Sequence, residues 1–274
     1  MSAMLALRDV SKAYGSVRAL NDVSFSVGPG EFAALLGPSG AGKSTVFRCL
    51  TRLALADAGD IEVQGQPLNA LSGAALRDAR RSIGLIFQQH NLIGRLSALD
   101  NVLTGRLAGV PTWRVFVRRF PAVDRQAALS CLDRVGLLDK AYVRADALSG
   151  GQQQRVAIAR VLAQQGRVIL ADEPVASLDP ETARQVLATL RSVASDQGIA
   201  VLCSLHQVGL AREFADRLIG LKAGRVVFDG APADIDDLSE RTLYVQDNPS
   251  DQTPGDASAS AHQPGAARLI QAAG

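Results

Sequence analysis

The chain has 274 residues, 47% hydrophobic and 20% charged, which is ordinary for a globular protein with one large domain or two small ones. Lys and Arg number 29 against 27 Asp and Glu, so no charge sign dominates and a general nucleic-acid binder is disfavoured. Cys49, Cys131 and Cys203 lack the spacing of a metal site or a disulfide framework, which favours a reducing compartment.

The first 60 residues predict β structure around a glycine-rich loop. The N-terminal residues do not resemble a signal peptide, and no run approaches the ~20 apolar residues of a membrane-spanning helix. Alternating apolar positions over residues 3–30 indicate antiparallel strands joined at a turn over residues 14–16. The continuous apolar run Phe32–Leu36 indicates a buried parallel strand, and a helix is expected from about Lys43 to Leu55.

The middle of the chain predicts strands followed by a helical region. Residues 61–68 indicate a short strand, and a basic segment, Arg77–Arg81, precedes the predicted strand Ile83–Phe87. Residues 98–145 are helical and turn-rich in pattern. One helix is expected at Arg125–Val135, because its small and apolar residues fall on one face.

The C-terminal part alternates strands and helices, which indicates a mainly parallel sheet between helices. The expected elements are the strand Val168–Ala171, a helix near Pro180–Ser195, the strand Ile199–Ser204 and a helix after His206. From residue 248 onward Pro, Ser, Asp, Gly, Ala and Gln dominate, so a disordered tail is predicted at residues 248–274.

A phosphate-binding loop follows the predicted strand Phe32–Leu36. Its sequence matches GxxxxGK[ST], and glycines let successive backbone N–H groups converge on an anion at the start of a helix. Lys43 would neutralise charge on the β- and γ-phosphates, and the Ser44 hydroxyl would be a Mg²⁺ ligand. A simple connecting turn has no need of Lys followed by two hydroxyl residues. The predicted nucleotide-binding residues here are Gly37, Pro38, Ser39, Gly40, Ala41, Gly42, Lys43, Ser44 and Thr45.

Asp172 and Glu173 end an apolar strand. Successive strand side chains point in opposite directions, so one carboxylate is expected to hold Mg²⁺ through water and the other to face the attacking water. Ligands bind at the carboxyl ends of parallel strands, and His206 follows the next strand at that edge. A lone histidine is more often structural, but beside these carboxylates His206 is a predicted γ-phosphate contact.

A second glycine turn, Leu148–Gln152, leads into a helix expected at residues 153–164. Ser149 and the N–H groups of Gly150 and Gly151 would form another anion-binding helix start. The chain therefore has two phosphate-facing turns that are far apart in sequence.

From about residue 4 to residue 240 the chain resembles the ATPase subunits of ABC transporters, and Leu148–Gln152 matches the signature motif of that family. The resemblance implies an α/β, P-loop NTPase fold of the ABC type. That fold has a mainly parallel sheet with helices, an N-terminal antiparallel β-subdomain and an α-helical signature subdomain at about residues 90–165. The ABC ATPase domain would span residues 1–247.

The resemblance also implies which residues hold the cofactors, ATP and Mg²⁺. Tyr14 would stack on adenine, and Gln88 would be the Q-loop glutamine that contacts Mg²⁺ and senses the transporter. Asp172 would be the Mg²⁺-site carboxylate, beside Ser44.

Family roles in hydrolysis follow in the same way. Glu173 would position or activate the attacking water, His206 would be the switch histidine, and Asp179 would lie in the D-loop. Two copies would pair head to tail as a homodimer. The signature residues Ser149, Gly150, Gly151 and Gln152 of one copy would then close on the ATP held by the other.

Several stretches are closer to one branch, the phosphonate importers. Among them are residues 86–97, 111–114 and 171–180, and Gln207 stands where the wider family has an acidic residue. The resemblance implies integral membrane permease subunits and an extracytoplasmic phosphonate-binding protein as partners. Membrane contact would come only through the permease, at the cytoplasmic face of the inner membrane. Phosphite, phosphate and amino-acid importers are the alternatives, because no residue here would touch the transported solute.

Three other functions fit the sequence less well. ABC ATPases that act on DNA or the ribosome usually carry tandem domains, coiled-coil inserts or basic arms, which this chain lacks. A P-loop kinase would have no use for Leu148–Gln152, and a silent regulatory subunit would not need Lys43, Glu173 and His206 together. The segment Trp113–Phe120 suits a groove for a permease helix and, equally, a helix partly buried in the helical subdomain.

Overall fold

Two β-sheets organise the described residues of this computed structural model, which are 3–87, 91–110, 120–235 and 243–244. The N-terminal sheet is antiparallel, with the strand order β2-β1-β4-β5. Its strands are β1 Leu5–Tyr14, β2 Val17–Val27, β4 Ala58–Val63 and β5 Gln66–Pro67.

The second sheet has the order β10-β9-β3-β8-β7-β6 and is parallel except for the β9–β10 pair at one edge. Its strands are β3 Phe32–Leu36, β6 Ile83–Ile86, β7 Val168–Asp172, β8 Ala200–Ser204, β9 Arg217–Lys222 and β10 Arg225–Gly230. The predicted α/β fold with a parallel core and an N-terminal antiparallel subdomain is confirmed.

Helices in the described ranges cover the parallel sheet and build a separate layer beside it. They are α1 Lys43–Leu50, α2 Gly73–Arg81, α3 Ala98–Leu103, α4 Ala122–Arg134, α5 Gly150–Ala163, α6 Pro180–Gln197 and α7 Val208–Phe214. Short 3₁₀ segments lie at Leu68–Ala70, Thr104–Gly109, Leu138–Lys140 and Ala145–Ala147. Helices α3, α4 and α5 pack on one another within the region predicted to be the helical subdomain.

The alternation of strand β3 places its side chains in two hydrophobic cores. Phe32, Ala34 and Leu36 pack with residues of the helical layer and α6, whereas Ala33 and Leu35 pack with the antiparallel sheet and α1. All five residues of β3 are fully buried, because both faces of the parallel sheet are covered. The continuous apolar run predicted this burial correctly.

Two predicted elements were wrong in extent. The helix that begins at Lys43 ends at Leu50 rather than Leu55, because Arg52 adopts a left-handed φ of 57° and the chain turns. Leu53 and Leu55 are consequently exposed. Residues 61–68 are not one strand: β4 and β5 form a hairpin whose turn places Gln64 and Gly65 at positive φ.

Other boundaries differ in smaller ways. The helix predicted at residues 125–135 begins at Ala122, directly after Pro121, and the helix predicted from residue 153 begins at Gly150. The basic segment Arg77–Arg81 forms the end of α2. The described residues belong to a unit that runs to Tyr244, and the predicted tail 248–274 lies outside them. In the described part of the chain, the helices lack the combination of length and apolarity that crossing a bilayer requires.

The three cysteines are buried or half-buried, and we expect their thiols to react slowly in the native protein. Cys49 and Cys203 are fully buried and Cys131 is half-buried, and burial raises the pKa of each thiol, which leaves little thiolate. Iodoacetamide labelling followed by mass spectrometry at pH 8 should modify the native chain far more slowly than the chain in guanidinium. Equal labelling rates in the two states would contradict this packing.

Candidate nucleotide site

The loop between β3 and α1 approaches neighbouring backbone so closely that two positions require glycine. A Cβ at Gly37 would lie 2.1 Å from the Leu221 carbonyl oxygen, and a Cβ at Gly42 would lie 2.5 Å from the Ala19 carbonyl oxygen. Both glycines also have positive φ, 150° and 108°. Gly40, by contrast, has nothing within 4 Å of its Cβ position, so the loop is open to a ligand on that side.

Lys43, the first residue of α1, reaches back to the start of this loop with its ammonium group. Only 5% of the residue is exposed, and its Nζ donates to the carbonyl oxygens of Gly37 at 2.6 Å and Pro38 at 3.1 Å. Burial lowers the pKa of the ammonium, whereas Glu173 and Asp172 act in the opposite direction. Within the described ranges Lys43 has no salt-bridge partner, so a buried cation is held by neutral carbonyls, which suits a site that takes an anion.

One hydroxyl at the end of β8 contacts both acidic residues at the end of β7, the carboxylate of Asp172 and the backbone amide of Glu173. Ser204 Oγ donates to Asp172 Oδ1 at 2.8 Å and accepts from the Glu173 amide at 2.8 Å. Glu173 adopts a left-handed φ of 50°, a conformation that costs about 1–3 kcal/mol outside glycine. The chain therefore turns sharply at Glu173 and separates its side chain from that of Asp172.

His206 lies against Glu173 at the carboxyl edge of the parallel sheet, and its contact with a γ-phosphate stays a prediction. The distance from His206 Nε2 to Glu173 Oε1 is 2.5 Å, and the His206 carbonyl oxygen accepts from the Tyr244 hydroxyl at 3.2 Å. Of the two side chains, 39% of His206 and 21% of Glu173 are exposed, so both are accessible from the edge of the parallel sheet.

A cavity of about 520 Å³ lies between the loop and Glu173, and neither Asp172 nor His206 is among its lining residues. Its walls come from residues 39–45 of the loop, residues 17–19 of β2, Glu173 and Ala223. Tyr14 does not line this cavity in the described structure, but its partner across the β1–β2 turn, Val17, does. Tyr14 is 44% exposed at the end of β1, with the Lys12 ammonium 5.4 Å from the centre of its ring. Tyr14 is therefore a partly exposed neighbour of one wall residue.

The second glycine turn begins helix α5 with a capping box. Ser149 Oγ accepts from the Gln152 amide at 3.3 Å, and Gln152 Oε1 accepts from the Ser149 amide at 3.0 Å. A Cβ at Gly151 would lie 2.5 Å from Thr182 Cγ2, so α5 begins against the first turn of α6. Asp179 caps that helix, and hydrogen bonding to Thr182 lowers its pKa. Residues 149–152 contribute nothing to the described lining of the 520 Å³ cavity.

Comparison with known proteins decides the family. The profile described as ABC transporter matches residues 20–176. The hypophosphite import ATP-binding protein of Stutzerimonas stutzeri is 55% identical over 240 residues, 88% of this chain and 70% of that protein. A phosphonates import ATP-binding protein of Rhodopseudomonas palustris is 49% identical over 271 residues, 99% of this chain and 98% of that one.

The chain belongs to the ABC transporter family. Among solved structures, a dimeric ATP-binding cassette in a post-hydrolysis state, bound to ADP and Pi, is similar at 36% identity with a TM-score of 0.72. The match covers 84% of this chain and 99% of that one. The predicted membership is thus confirmed, and the loop at residues 37–45 lies within the matched range and belongs to an ABC nucleotide-binding cassette.

The residues present in this ABC cassette fit a nucleotide and a divalent cation. The buried Lys43 ammonium, the open side of the loop at Gly40 and the start of α1 suit a polyphosphate. Ser44 and Glu173 line the same cavity, and hydroxyl and carboxylate oxygens are the ligands that Mg²⁺ prefers. Asp172, the predicted Mg²⁺ carboxylate, is not among the lining residues.

Some residues of the site were not found from the sequence, and some predictions cannot be placed. Ser204 was not recognised, because its only signal is its position opposite Asp172 in neighbouring parallel strands, which requires the register. Residues 17–19 and Ala223 were also missed as cavity walls. Gln88 and most of Trp113–Phe120 lie outside the described residues. Phe120 is described, and it is half-buried against the helical core.

Proposed function

We propose that this chain is the ATP-hydrolysing subunit of an importer for a small phosphorus oxyanion, with phosphonate as the first candidate. The observation that carries the hydrolytic part is the Glu173–His206 contact of 2.5 Å beside a buried Lys43. The candidate solute follows from relatives named for phosphonate import at about half identity and one named for hypophosphite import. Phosphite, phosphate and amino acids are the alternatives.

The chain's own residues support one sequence of events at the γ-phosphate. Lys43 would exchange its two carbonyl acceptors for phosphate oxygens, because a charged acceptor makes the stronger hydrogen bond. His206 would hold Oε1 of Glu173 and leave the other carboxylate oxygen to accept the proton of the attacking water. Mg²⁺ held by Ser44, Gln88 and Asp172 would neutralise the phosphate charge.

The second half of the site would come from another copy of the chain. Ser149, Gly150, Gly151 and Gln152 begin an α5 helix of 14 residues, whose positive end suits a phosphate. They lie outside the lining of the chain's own cavity, which supports a head-to-tail homodimer in which each signature turn faces the partner's ATP. Tyr14 would stack on adenine at the rim, and Asp179 would lie at the same interface.

The importer role predicts that ATP hydrolysis depends on the permease and on the transported solute, and one experiment measures both. The chain is reconstituted in vesicles with permease subunits and a phosphonate-binding protein from the same organism. We expect the permease to stimulate ATP hydrolysis and methylphosphonate to increase it further through the binding protein. Parallel measurements use hypophosphite, phosphite, phosphate and an amino acid. Stimulation by one of these instead of methylphosphonate would reassign the solute. Hydrolysis that ignores the permease yet rises with DNA would contradict the importer role.

A further inference from the structure

Ser204 is a buried hydroxyl in the second sheet that the proposed mechanism does not yet use. The residue is 0% exposed and ends β8, directly opposite Asp172 in the parallel register with β7. A hydroxyl has one proton to donate and lone pairs to accept with. Both capacities are engaged here, since it donates to Asp172 Oδ1 and accepts from the Glu173 amide, each at 2.8 Å.

The direction of these bonds assigns a role to each partner. The Glu173 amide can only donate, so the Ser204 proton is left for the Asp172 carboxylate. That hydrogen bond uses Oδ1 of Asp172, so Oδ2 makes no hydrogen bond with Ser204. The bond from the amide also anchors Glu173 in its left-handed conformation, which determines where its side chain leaves the strand.

We propose that Ser204 is the positioning residue of the hydrolytic site. Its hydroxyl orients the Asp172 carboxylate toward the divalent cation and anchors the Glu173 backbone, so that metal affinity and water activation depend on one buried group. This inference rests on the proposed function, in which Asp172 serves the cation and Glu173 serves the water. Groups that orient metal-site carboxylates commonly change metal affinity or activity by about 10- to 100-fold.

The test uses the full chain with Ser204→Ala, which removes the hydroxyl, and Ser204→Thr, which keeps it. The nonhydrolysable analogue AMPPNP is titrated by calorimetry, once with Mg²⁺ and once with EDTA, and Mn²⁺ binding to the AMPPNP complex is followed by electron paramagnetic resonance. For Ser204→Ala we expect unchanged affinity in EDTA, because Lys43 and the loop are intact, and a loss of about tenfold in Mn²⁺ affinity. Ser204→Thr should restore it.

Hydrolysis provides the second readout. We expect kcat of Ser204→Ala to fall by at least about tenfold while the KM for ATP at saturating Mg²⁺ changes little. If Ser204 were purely structural, Ser204→Ala would lower only the thermal stability. Wild-type Mn²⁺ affinity, kcat and KM in the folded fraction of the variant would therefore overturn the proposal. If Ser204→Ala does not fold, Ser204→Cys is measured in its place. Cys has nearly the shape of Ser, but its S–H is only a weak hydrogen-bond donor, so the same losses are expected.

The failure of this inference can be separated from the failure of the proposed function. Wild-type chain that hydrolyses ATP, together with a Ser204→Ala variant of wild-type Mn²⁺ affinity, would overturn only the role of Ser204. Wild-type chain whose AMPPNP complex does not bind Mn²⁺ would overturn the assignment of Asp172 and with it this proposal.

Discussion

Glu173→Gln is expected to lower ATP hydrolysis by about 10²- to 10⁴-fold, the range that a positioned general base contributes. The amide keeps the size of the side chain and can still contact His206, which now lies 2.5 Å from Oε1. It cannot accept the water proton. Nucleotide binding should persist, because Lys43 and residues 37–45 are unchanged.

The same variant should accumulate as an ATP-bound dimer. Each ATP would bridge two copies, and without hydrolysis the bridge is not removed. Size-exclusion chromatography with ATP and Mg²⁺ should show a dimer that is absent without nucleotide. The matched control is Glu213→Gln, which makes the same change in an exposed ion pair with Arg184 and should behave as wild type. A Glu173→Gln chain that stays monomeric with ATP and Mg²⁺ would contradict the bridging dimer.

Lys43→Ala is expected to weaken ATP binding by about a hundredfold, because it removes a cation that would make two charge-assisted hydrogen bonds. Fluorescence competition with a labelled nucleotide measures this loss directly. ATP hydrolysis by the variant alone should be abolished. Affinity within a few-fold of wild type would exclude Lys43 from the phosphate site.

Mixing Lys43→Ala with Gly150→Asp tests whether the site is shared between two chains. Gly150→Asp leaves the loop at residues 37–45 intact but places a negative charge on the signature turn, and nothing lies within 4 Å of the Cβ position. Each variant alone should be inactive. A mixed dimer should regain one working site, built from the loop of one chain and the signature turn of the other.

The control for this experiment is Ala74→Asp, which adds the same charge to the exposed first turn of α2. Asp is favourable at a helix start, so both Asp variants should fold. Ala74→Asp should be active alone. Mixtures of Lys43→Ala and Gly150→Asp that stay inactive would contradict a site divided between two copies.

Sequence patterns predicted correctly those features that depend on residues close together in the chain. The loop at residues 37–45 could be recognised because its glycines, lysine and hydroxyls are contiguous, and the start of α5 because Ser149 and Gln152 cap it three residues apart. The continuous apolar run Phe32–Leu36 likewise predicted a strand that is buried on both faces. Boundaries were less accurate where single residues turn the chain, as Arg52 does after α1.

Only the tertiary structure decided which distant groups meet. The contact of Glu173 with His206 joins residues 33 positions apart, and the bond of Ser204 to Asp172 joins residues 32 positions apart. Both depend on the register of β7 against β8, and register follows from how the strands pack within the whole sheet. By itself the sequence determined the chemistry of the phosphate loop and of the signature turn. The packing of the strands decided that one buried hydroxyl bonds both the Asp172 carboxylate and the Glu173 amide, because hydrogen bonds across a sheet depend on alignment in space.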